Sequence, residues 1–192
     1  ADVLFGDYNP AGRLPVTFYK SVSQLPPFED YNMAGRTYRY FKGEPLYPFG
    51  FGLSYTRFKY DNLKLSESRI VAGKGIRVSA DVENIGDRAG DEAVQLYVTD
   101  VSASVPVPIR SLSGFRRVAL KPGQKQTISF DLTPAQMTVI DERGKRIVEP
   151  GDLLISMGGK QPGFTGRADA RSSAVVQARL VVTGKRTEVR DR

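Results

Sequence analysis

The 192-residue sequence contains no cysteine, no histidine and no tryptophan. The absence of cysteine excludes disulfide bonds and thiolate metal ligands, although it does not select a cellular compartment. The absence of histidine removes the commonest general base and the commonest metal ligand. No run approaches the roughly 18 apolar residues of a membrane-spanning helix. We therefore expect no cofactor, no metal site and no membrane partner.

The net charge of +7 is unevenly distributed, because four of the seven excess positive charges fall in residues 166–192. A nucleic-acid-binding domain normally carries a basic face on its folded body. Here the part of the chain before residue 166 is close to charge balance. We therefore expect a solvated basic tail and no nucleic-acid partner.

The first six residues, ADVLFG, are typical of the last turn of a helix that ends at Gly6. Glycine is favoured just past a helix C-terminus because it tolerates positive φ. So short a helix is not stable alone, since isolated helices need about 12 residues or more. A trimmed boundary is one interpretation. The favoured one is that the chain is the C-terminal part of a longer protein, divided within a preceding helix.

From about residue 58 the sequence consists of short runs in which apolar and polar residues alternate. This period of two predicts strands of a half-buried antiparallel sheet. Gly- and Pro-containing turns separate the runs, and VPVPIR is expected to be a loop or an edge. Seven or eight such strands, with one helical turn after Pro134, predict a sandwich of two sheets. The inward-facing sets are Ile76, Val78, Ala80 and Val82; Val94, Leu96 and Val98, with Tyr97 opposite; and Ile128, Phe130 and Leu132.

Residues 7–57 have a different composition, rich in proline, glycine and aromatic rings, with one possible strand in GRLPVTF. Fifteen of the nineteen Phe and Tyr residues lie in residues 1–60. A flexible linker would be poor in aromatic residues and rich in Gly and Ser. We therefore expect residues 19–57, here called the strap, to be extended, irregular and held in place by its rings.

Several blocks of the chain, taken in order, resemble the C-terminal portion of glycoside hydrolase family 3, the β-glucosidases, β-xylosidases and their relatives. The blocks are ADVLFGDYNPAGRLPVTF, GRTYRYFKGEPLYPFGFGLSYT, AGDEAVQLYV, LSGFRRVALKPGQ and VEPGDLLISMGG. In that family a barrel and an α/β domain precede a fibronectin type III-like domain in many members. The resemblance implies that these two upstream domains of the same enzyme are the partners of this chain.

By this resemblance the chain divides into four parts. Residues 1–18 are the end of the α/β domain, 19–57 the connecting strap, 58–183 the fibronectin type III-like sandwich and 184–192 the basic tail. The implied fold class is mainly β. The implied function is that of an accessory part that braces a retaining hydrolase acting on terminal β-linked glucose or xylose. A periplasmic or secreted location is favoured for the parent enzyme.

The acidic pairs of the sequence do not predict a catalytic site. A retaining glycosidase needs two carboxyl groups about 5–5.5 Å apart, and neighbours on an extended chain point to opposite faces. The pairs Glu29–Asp30, Asp91–Glu92 and Asp141–Glu142 are expected to be solvated, since they lie beside turns or strand starts. The family's nucleophile and acid/base belong upstream. We therefore assign no catalytic, substrate-binding, cofactor or metal residue here, and expect the chain alone to be inactive.

The rings of the strap allow two interpretations. Tyr38, Tyr40 and Phe41 would form a sugar platform, with Arg36 or Arg39 bonding hydroxyls. Alternatively the rings pack as structure, with Phe49, Phe51 and Tyr55 buried between the α/β domain and the sandwich.

The eleven rings in residues 28–60 exceed the two or three that a sugar platform requires, which favours the structural interpretation. The alternative functions are a stand-alone carbohydrate- or surface-binding β-sandwich module and a purely adhesive sandwich.

Overall fold

The structure, a computed structural model, describes residues 1–164 and 168–189. Strands dominate it, as predicted. The strands of this described part are β1 Phe58–Leu65, β2 Arg69–Val71, β3 Ile76–Asn84, β4 Gly90–Asp100, β5 Ser111–Leu120, β6 Lys125–Leu132, β7 Val139–Ile140, β8 Arg146–Val148, β9 Gly151–Gly158, β10 Val175–Thr183 and β11 Thr187–Glu188.

Two larger sheets form the sandwich. One has three antiparallel strands in the order β1-β3-β6. The other has five strands in the order β2-β10-β9-β4-β5, antiparallel except for the parallel pair β2–β10. A small sheet, β11-β8-β7, joins the last described strand to the two short strands between β6 and β9. The fold class predicted from period-two patterning, a mainly β sandwich, is confirmed.

The core lies between the two larger sheets and is built by alternate residues of each strand. In β3 the residues Ile76, Val78, Ala80 and Val82 are all buried. On β6, Ile128 and Leu132 are buried and Phe130 is packed against them. Burying such side chains stabilises the fold by about 1.5–3 kcal/mol each. The inward-facing positions predicted from alternation are therefore correct.

The connections between strands also follow the sequence signals. VPVPIR lies outside the strands, in the connection between β4 and β5, because proline has no N–H for a sheet ladder. The predicted helical turn is a 3₁₀ helix at Pro134–Met137, where Thr133 and Gln136 form a capping box. Met137 and Met157 are buried.

The N-terminal part of the chain contains little regular structure. Its only regular elements are helix α1 Asp2–Phe5, a 3₁₀ helix at Val22–Gln24 and helix α2 Thr37–Tyr40. Helix α1 ends at Gly6, whose φ of 87° is the left-handed conformation expected there. The extended, irregular strap is thus confirmed.

The possible strand in GRLPVTF, residues 12–18, is not formed. Pro15 interrupts the run and donates no hydrogen bond, so no ladder develops. A single antiparallel bridge joins Phe18, the residue before the strap, to Tyr47 in the strap.

The last described residues of the chain take part in the small sheet. Thr187 and Glu188, which fall in the segment expected to be a basic tail, pair with Val148 and Ile147. Residues 190–192 of that segment lie outside the described residues. Among the described residues no helix is long and apolar enough to cross a membrane.

Candidate functional site

The strap covers part of the outer face of the five-stranded sheet, at β4 and the start of β5. The opposite faces of β4 are both buried at its centre, since Leu96 is 1% exposed and Tyr97 is 0% exposed. Leu96 faces the sandwich core, whereas Tyr97 lies beneath the strap. The prediction placed Tyr97 on the side opposite the core, which is correct. It did not foresee that the strap buries this second side.

A stack of rings makes this contact. The rings of Tyr38 and Phe49 are nearly parallel, with centroids 4.2 Å apart and an interplanar angle of 16°. Tyr97 meets Tyr38 edge-on at 6.5 Å. The backbone N–H of Leu112 on β5 donates to the Tyr38 hydroxyl at 3.1 Å. Aromatic pairs of this kind add about 0.5–1.5 kcal/mol beyond the area they bury.

Polar contacts also join the strap to the sandwich at this surface. The Tyr97 hydroxyl donates to Gln95 Oε1 at 2.6 Å. The Gln95 amide donates to the carbonyl oxygens of Gly50 at 3.3 Å and Gly159 at 3.1 Å. Gly50 has a φ of 77°, and a Cβ there would lie 2.8 Å from the Tyr97 hydroxyl oxygen. Only glycine permits both this backbone conformation and this close approach.

A buried ion pair fixes residues 11–14 to the sandwich. Glu92 on β4 is 0% exposed, and its carboxylate pairs with Arg13, whose side chain is 8% exposed. The carboxylate also accepts hydrogen bonds from the hydroxyls of Tyr60, at 3.0 Å, and Ser173. Arg13 Nε donates to the Gly159 carbonyl oxygen at 2.9 Å.

The expectation that the Asp91–Glu92 pair is solvated is therefore wrong for Glu92. The two side chains do point to opposite faces, and Asp91 pairs with Arg117 at the surface. Glu92 instead lies on the core-facing side of β4 with Val94 and Leu96, where Tyr60 of the facing sheet donates to it. Burial raises the pKa of the Glu92 carboxyl, while the Arg13 charge and the Ser173 and Tyr60 hydroxyls act in the opposite direction.

Large apolar side chains remain exposed on residues 1–57. Of the twenty such side chains exposed in the described residues, fifteen lie in this part. They include rings that are almost fully exposed, such as Phe5 at 82%, Phe28 at 89% and Tyr31 at 87%. The others are Val3, Leu4, Tyr8, Val16, Phe18, Val22, Leu25, Met33, Leu46, Tyr47, Leu53 and Tyr55. We call these fifteen residues the exposed apolar set.

The loop that carries Phe28 and Tyr31 is held by its own hydrogen bonds. The backbone and side-chain amides of Asn32 donate to Asp30 Oδ1 at 2.9 and 2.7 Å, and the backbone bond contributes most to the lowered pKa of Asp30. Arg36 donates to the carbonyl oxygens of Asn32 and Asp30. The loop is thus ordered while its rings face outward.

Tyr38, Tyr40 and Phe41 do not form a sugar platform in the structure. One face of Tyr38 is covered by Phe49, and Phe41 makes an edge contact with Tyr19 at 4.8 Å. Arg36 is engaged by the loop carbonyls described above, and Arg39 lies over the Tyr38 ring at 5.8 Å. Tyr38, Tyr40 and Phe41 are each half-buried and form no exposed coplanar face.

The three rings predicted to lie at a domain interface have different environments in this chain. Phe51 is 9% exposed and packs beside Tyr47 at 5.0 Å. Phe49 is half-buried in the stack with Tyr38. Tyr55 is 45% exposed, with its hydroxyl donating to the Val3 carbonyl oxygen. Phe49 and Phe51 therefore pack within this chain, whereas Tyr55 presents a surface to its surroundings.

A cleft of about 560 Å³ separates the strap from the sandwich near Tyr40 and Pro106–Pro108. Its half-buried carboxylate, Asp100, accepts the backbone N–H of Ser102 at 2.9 Å and so closes a turn. Among residues 1–164 and 168–189 there is no group of three acidic side chains arranged to hold a metal ion. We assign no chemistry to the cleft.

Two protein-family models match separate parts of the chain. Residues 1–55 match the glycosyl hydrolase family 3 C-terminal domain, and residues 92–161 match the fibronectin type III-like domain. The chain thus combines an accessory β-sandwich with part of a glycosidase domain.

Individual relatives are similar over most of this chain. A β-xylosidase of Formosa agariphila is 44% identical over 82% of the chain and 22% of its own length. A periplasmic β-glucosidase of Salmonella typhimurium is 39% identical over the same shares. The structure of a β-glucosidase from Erythrobacter marinus superposes with a TM-score of 0.77 at 39% identity, over 95% of this chain and 23% of that one.

These similarities show the family. The chain belongs to glycoside hydrolase family 3 and corresponds to the C-terminal part of its multidomain enzymes, including the fibronectin type III-like domain. The recognition made from the sequence blocks is confirmed. The chain spans about a fifth to a quarter of the length of these relatives.

Proposed function

We propose that this chain braces the catalytic domains of a β-glycosidase that hydrolyses terminal β-linked glucose or xylose with retention. The observation that carries the proposal is the placement of the exposed apolar set, fifteen of twenty exposed large apolar side chains, on residues 1–57. Concentrated apolar surface on a soluble domain marks a surface that another domain or protein covers. The names of the relatives supply the substrate class.

The proposed division of labour keeps the boundaries drawn from the sequence. Residues 1–18 complete the α/β domain, the strap at 19–57 connects it to the sandwich at 58–183, and a basic tail follows at 184–192. The match of one family model to residues 1–55 supports grouping the first part and the strap together. The preceding barrel and α/β domains are the proposed partners, and they contribute both catalytic carboxylates.

A direct test compares the isolated chain with the intact multidomain enzyme. We expect the enzyme to hydrolyse aryl β-glucosides or β-xylosides and the isolated chain to show no turnover, because the two carboxyl groups that retaining chemistry needs are proposed to lie in the preceding domains. Turnover by the chain that persists through repurification and scales with its concentration would contradict the proposal.

The alternative of a stand-alone carbohydrate-binding module is tested in the same preparation. Titration of the chain with cello- and xylo-oligosaccharides should give no saturable binding. A binding curve that disappears in Tyr38→Ala would favour the module. A curve that disappears in Phe28→Ser would instead place a sugar site on the exposed loop.

A further inference from the structure

The ion pair between Arg13 and Glu92 connects two parts of the chain that are 79 residues apart. Glu92 is anchored within the sandwich, where the hydroxyls of Tyr60 on β1 and Ser173 donate to its carboxylate. Arg13 belongs to the N-terminal segment and reaches the same carboxylate from the other side. Its Nε also donates to the Gly159 carbonyl oxygen, so the guanidinium lies between that carbonyl oxygen and the Glu92 carboxylate.

The donors around Glu92 differ in charge and in origin. Tyr60 is a neutral donor, since burial raises the pKa of its phenol well above the usual value. Ser173 is also neutral, and both residues stay with the sandwich when the N-terminal segment leaves. Arg13 is the cation that the described structure pairs with this carboxylate. The charge on Glu92 is therefore balanced only while the segment is in place.

From this geometry we propose that Arg13 and Glu92 form a proton-linked latch. Ionised Glu92 requires Arg13 and holds residues 11–14 against the sandwich, whereas protonated Glu92 no longer depends on it. This inference rests on the contacts within the chain and is independent of the proposed catalytic role of the parent enzyme.

The direction of the pH dependence follows from the two opposing effects on Glu92. Burial raises the pKa of the carboxyl in the folded protein, and the Arg13 charge partly offsets that rise. An acid whose pKa is higher in the folded state stabilises the fold at low pH, and this contribution decreases as pH rises through the folded pKa. Without the Arg13 charge, the pKa of the Glu92 carboxyl should be higher still. The destabilisation caused by its loss should therefore grow with pH.

The test uses hydrogen exchange in the full chain for Arg13→Met, Glu92→Gln and the double variant. The reporters are the Leu14 amide, bonded to the Phe51 carbonyl oxygen at 2.9 Å, and the Leu112 amide, bonded to Tyr38. Each variant is compared with the original chain at the same pH, and the Leu14 rates are corrected for the effect of the substituted neighbour at position 13 on the intrinsic exchange rate. Arg117→Met, which breaks the neighbouring exposed pair with Asp91, is the matched control.

Arg13→Met should accelerate Leu14 exchange about a hundredfold at about pH 8, as expected when a buried charge loses its partner, and by less than about threefold at about pH 4.5. The double variant should exchange more slowly than Arg13→Met at the higher pH, because the neutral amide that Glu92→Gln introduces needs no counter-charge. Arg117→Met should change exchange little at either pH.

The proposal is overturned if Arg13→Met has the same effect at both pH values, or if adding Glu92→Gln fails to restore protection. Circular dichroism of each variant establishes that the sandwich remains folded. If Arg13→Met prevents folding, the latch is tested with Glu92→Gln alone. It should remove the pH dependence of Leu14 exchange relative to Arg117→Met, and a retained dependence would contradict the latch.

Discussion

Residues 1–57 and the sandwich that follows differ most in where they place their apolar side chains. Of the 28 buried apolar residues in the described structure, 26 lie from Phe58 onward, and only Ala11 and Phe51 lie before it. The exposed large apolar side chains are distributed in the opposite way, with five in the sandwich and fifteen before it. Both parts are rich in apolar residues, but the sandwich buries many of its own within this chain, whereas residues 1–57 bury only two.

The difference teaches how the N-terminal part is ordered without a core of its own. It is held by a few specific contacts with the sandwich: the edge contact of Tyr38 with Tyr97, the close approach of Gly50 to Tyr97, and the Arg13–Glu92 pair. These contacts hold the segment against the sandwich. The same segment carries the exposed apolar set, which this chain leaves uncovered.

The largest expected effect comes from the sandwich core. Leu96→Ala removes a side chain that is 1% exposed, whereas Leu4→Ala makes the same chemical change at a residue that is 84% exposed. Leu96→Ala should lower the free energy of unfolding by about 2–5 kcal/mol because a cavity remains. Leu4→Ala should change it by less than about 0.5 kcal/mol.

Denaturant unfolding of the two variants of the isolated chain measures this difference. If both variants lost a similar free energy of unfolding, the side chain of Leu4 would contribute as much to stability as that of Leu96. The contrast drawn between residues 1–57 and the sandwich would then be wrong.

A smaller effect is expected where the strap meets the sheet. Gly50 and Gly123 both have positive φ, of 77° and 70°, but no atom lies within 4 Å of a Cβ built at Gly123. Alanine at either position should cost about 1–2 kcal/mol for the left-handed backbone. Gly50→Ala should cost about 1–3 kcal/mol more because its methyl group overlaps Gln95 and Tyr97.

The two glycine variants are compared by thermal unfolding and by proteolysis of the strap. Gly50→Ala should expose residues 19–57 to protease while the sandwich resists. Equal behaviour of the two variants would mean that the strap does not depend on its close approach to Tyr97.

The sandwich could be predicted from the sequence because its signals are local. Alternation in β3 and β6 and the proline in VPVPIR each depend on a few neighbouring residues, and the structure confirms them. The strand predicted in GRLPVTF failed for a related reason: alternation alone does not supply a partner strand, and Pro15 breaks the run.

The contacts between residues 1–57 and the sandwich could not be predicted because they join residues distant in sequence. Arg13 and Glu92 are 79 positions apart, and a charged pair beside a turn normally indicates solvated carboxylates. One signal was available. The run AVQLYV is almost continuously apolar, which is typical of a strand buried on both faces rather than on one. That pattern indicates that something covers β4, but not that the strap does.

The smallest effect on the chain itself is expected at the exposed loop, and it tests the proposed role of the apolar set. Phe28→Ser combined with Tyr31→Ser removes rings that are 89% and 87% exposed. In the isolated chain the free energy of unfolding should change by less than about 0.5 kcal/mol. Self-association, measured by light scattering, should decrease because exposed apolar surface promotes it.

The same double substitution should behave differently in the intact enzyme, where the preceding domains are proposed to cover these rings. Burial of each ring there contributes about 1.5–3 kcal/mol, so the melting temperature should fall and the strap should become sensitive to protease. Because the loop is ordered by Asn32 and Arg36 rather than by its rings, its conformation in the isolated chain should persist. An equal, small effect in both proteins would show that no domain covers Phe28 and Tyr31, and the exposed apolar set would then need a different partner.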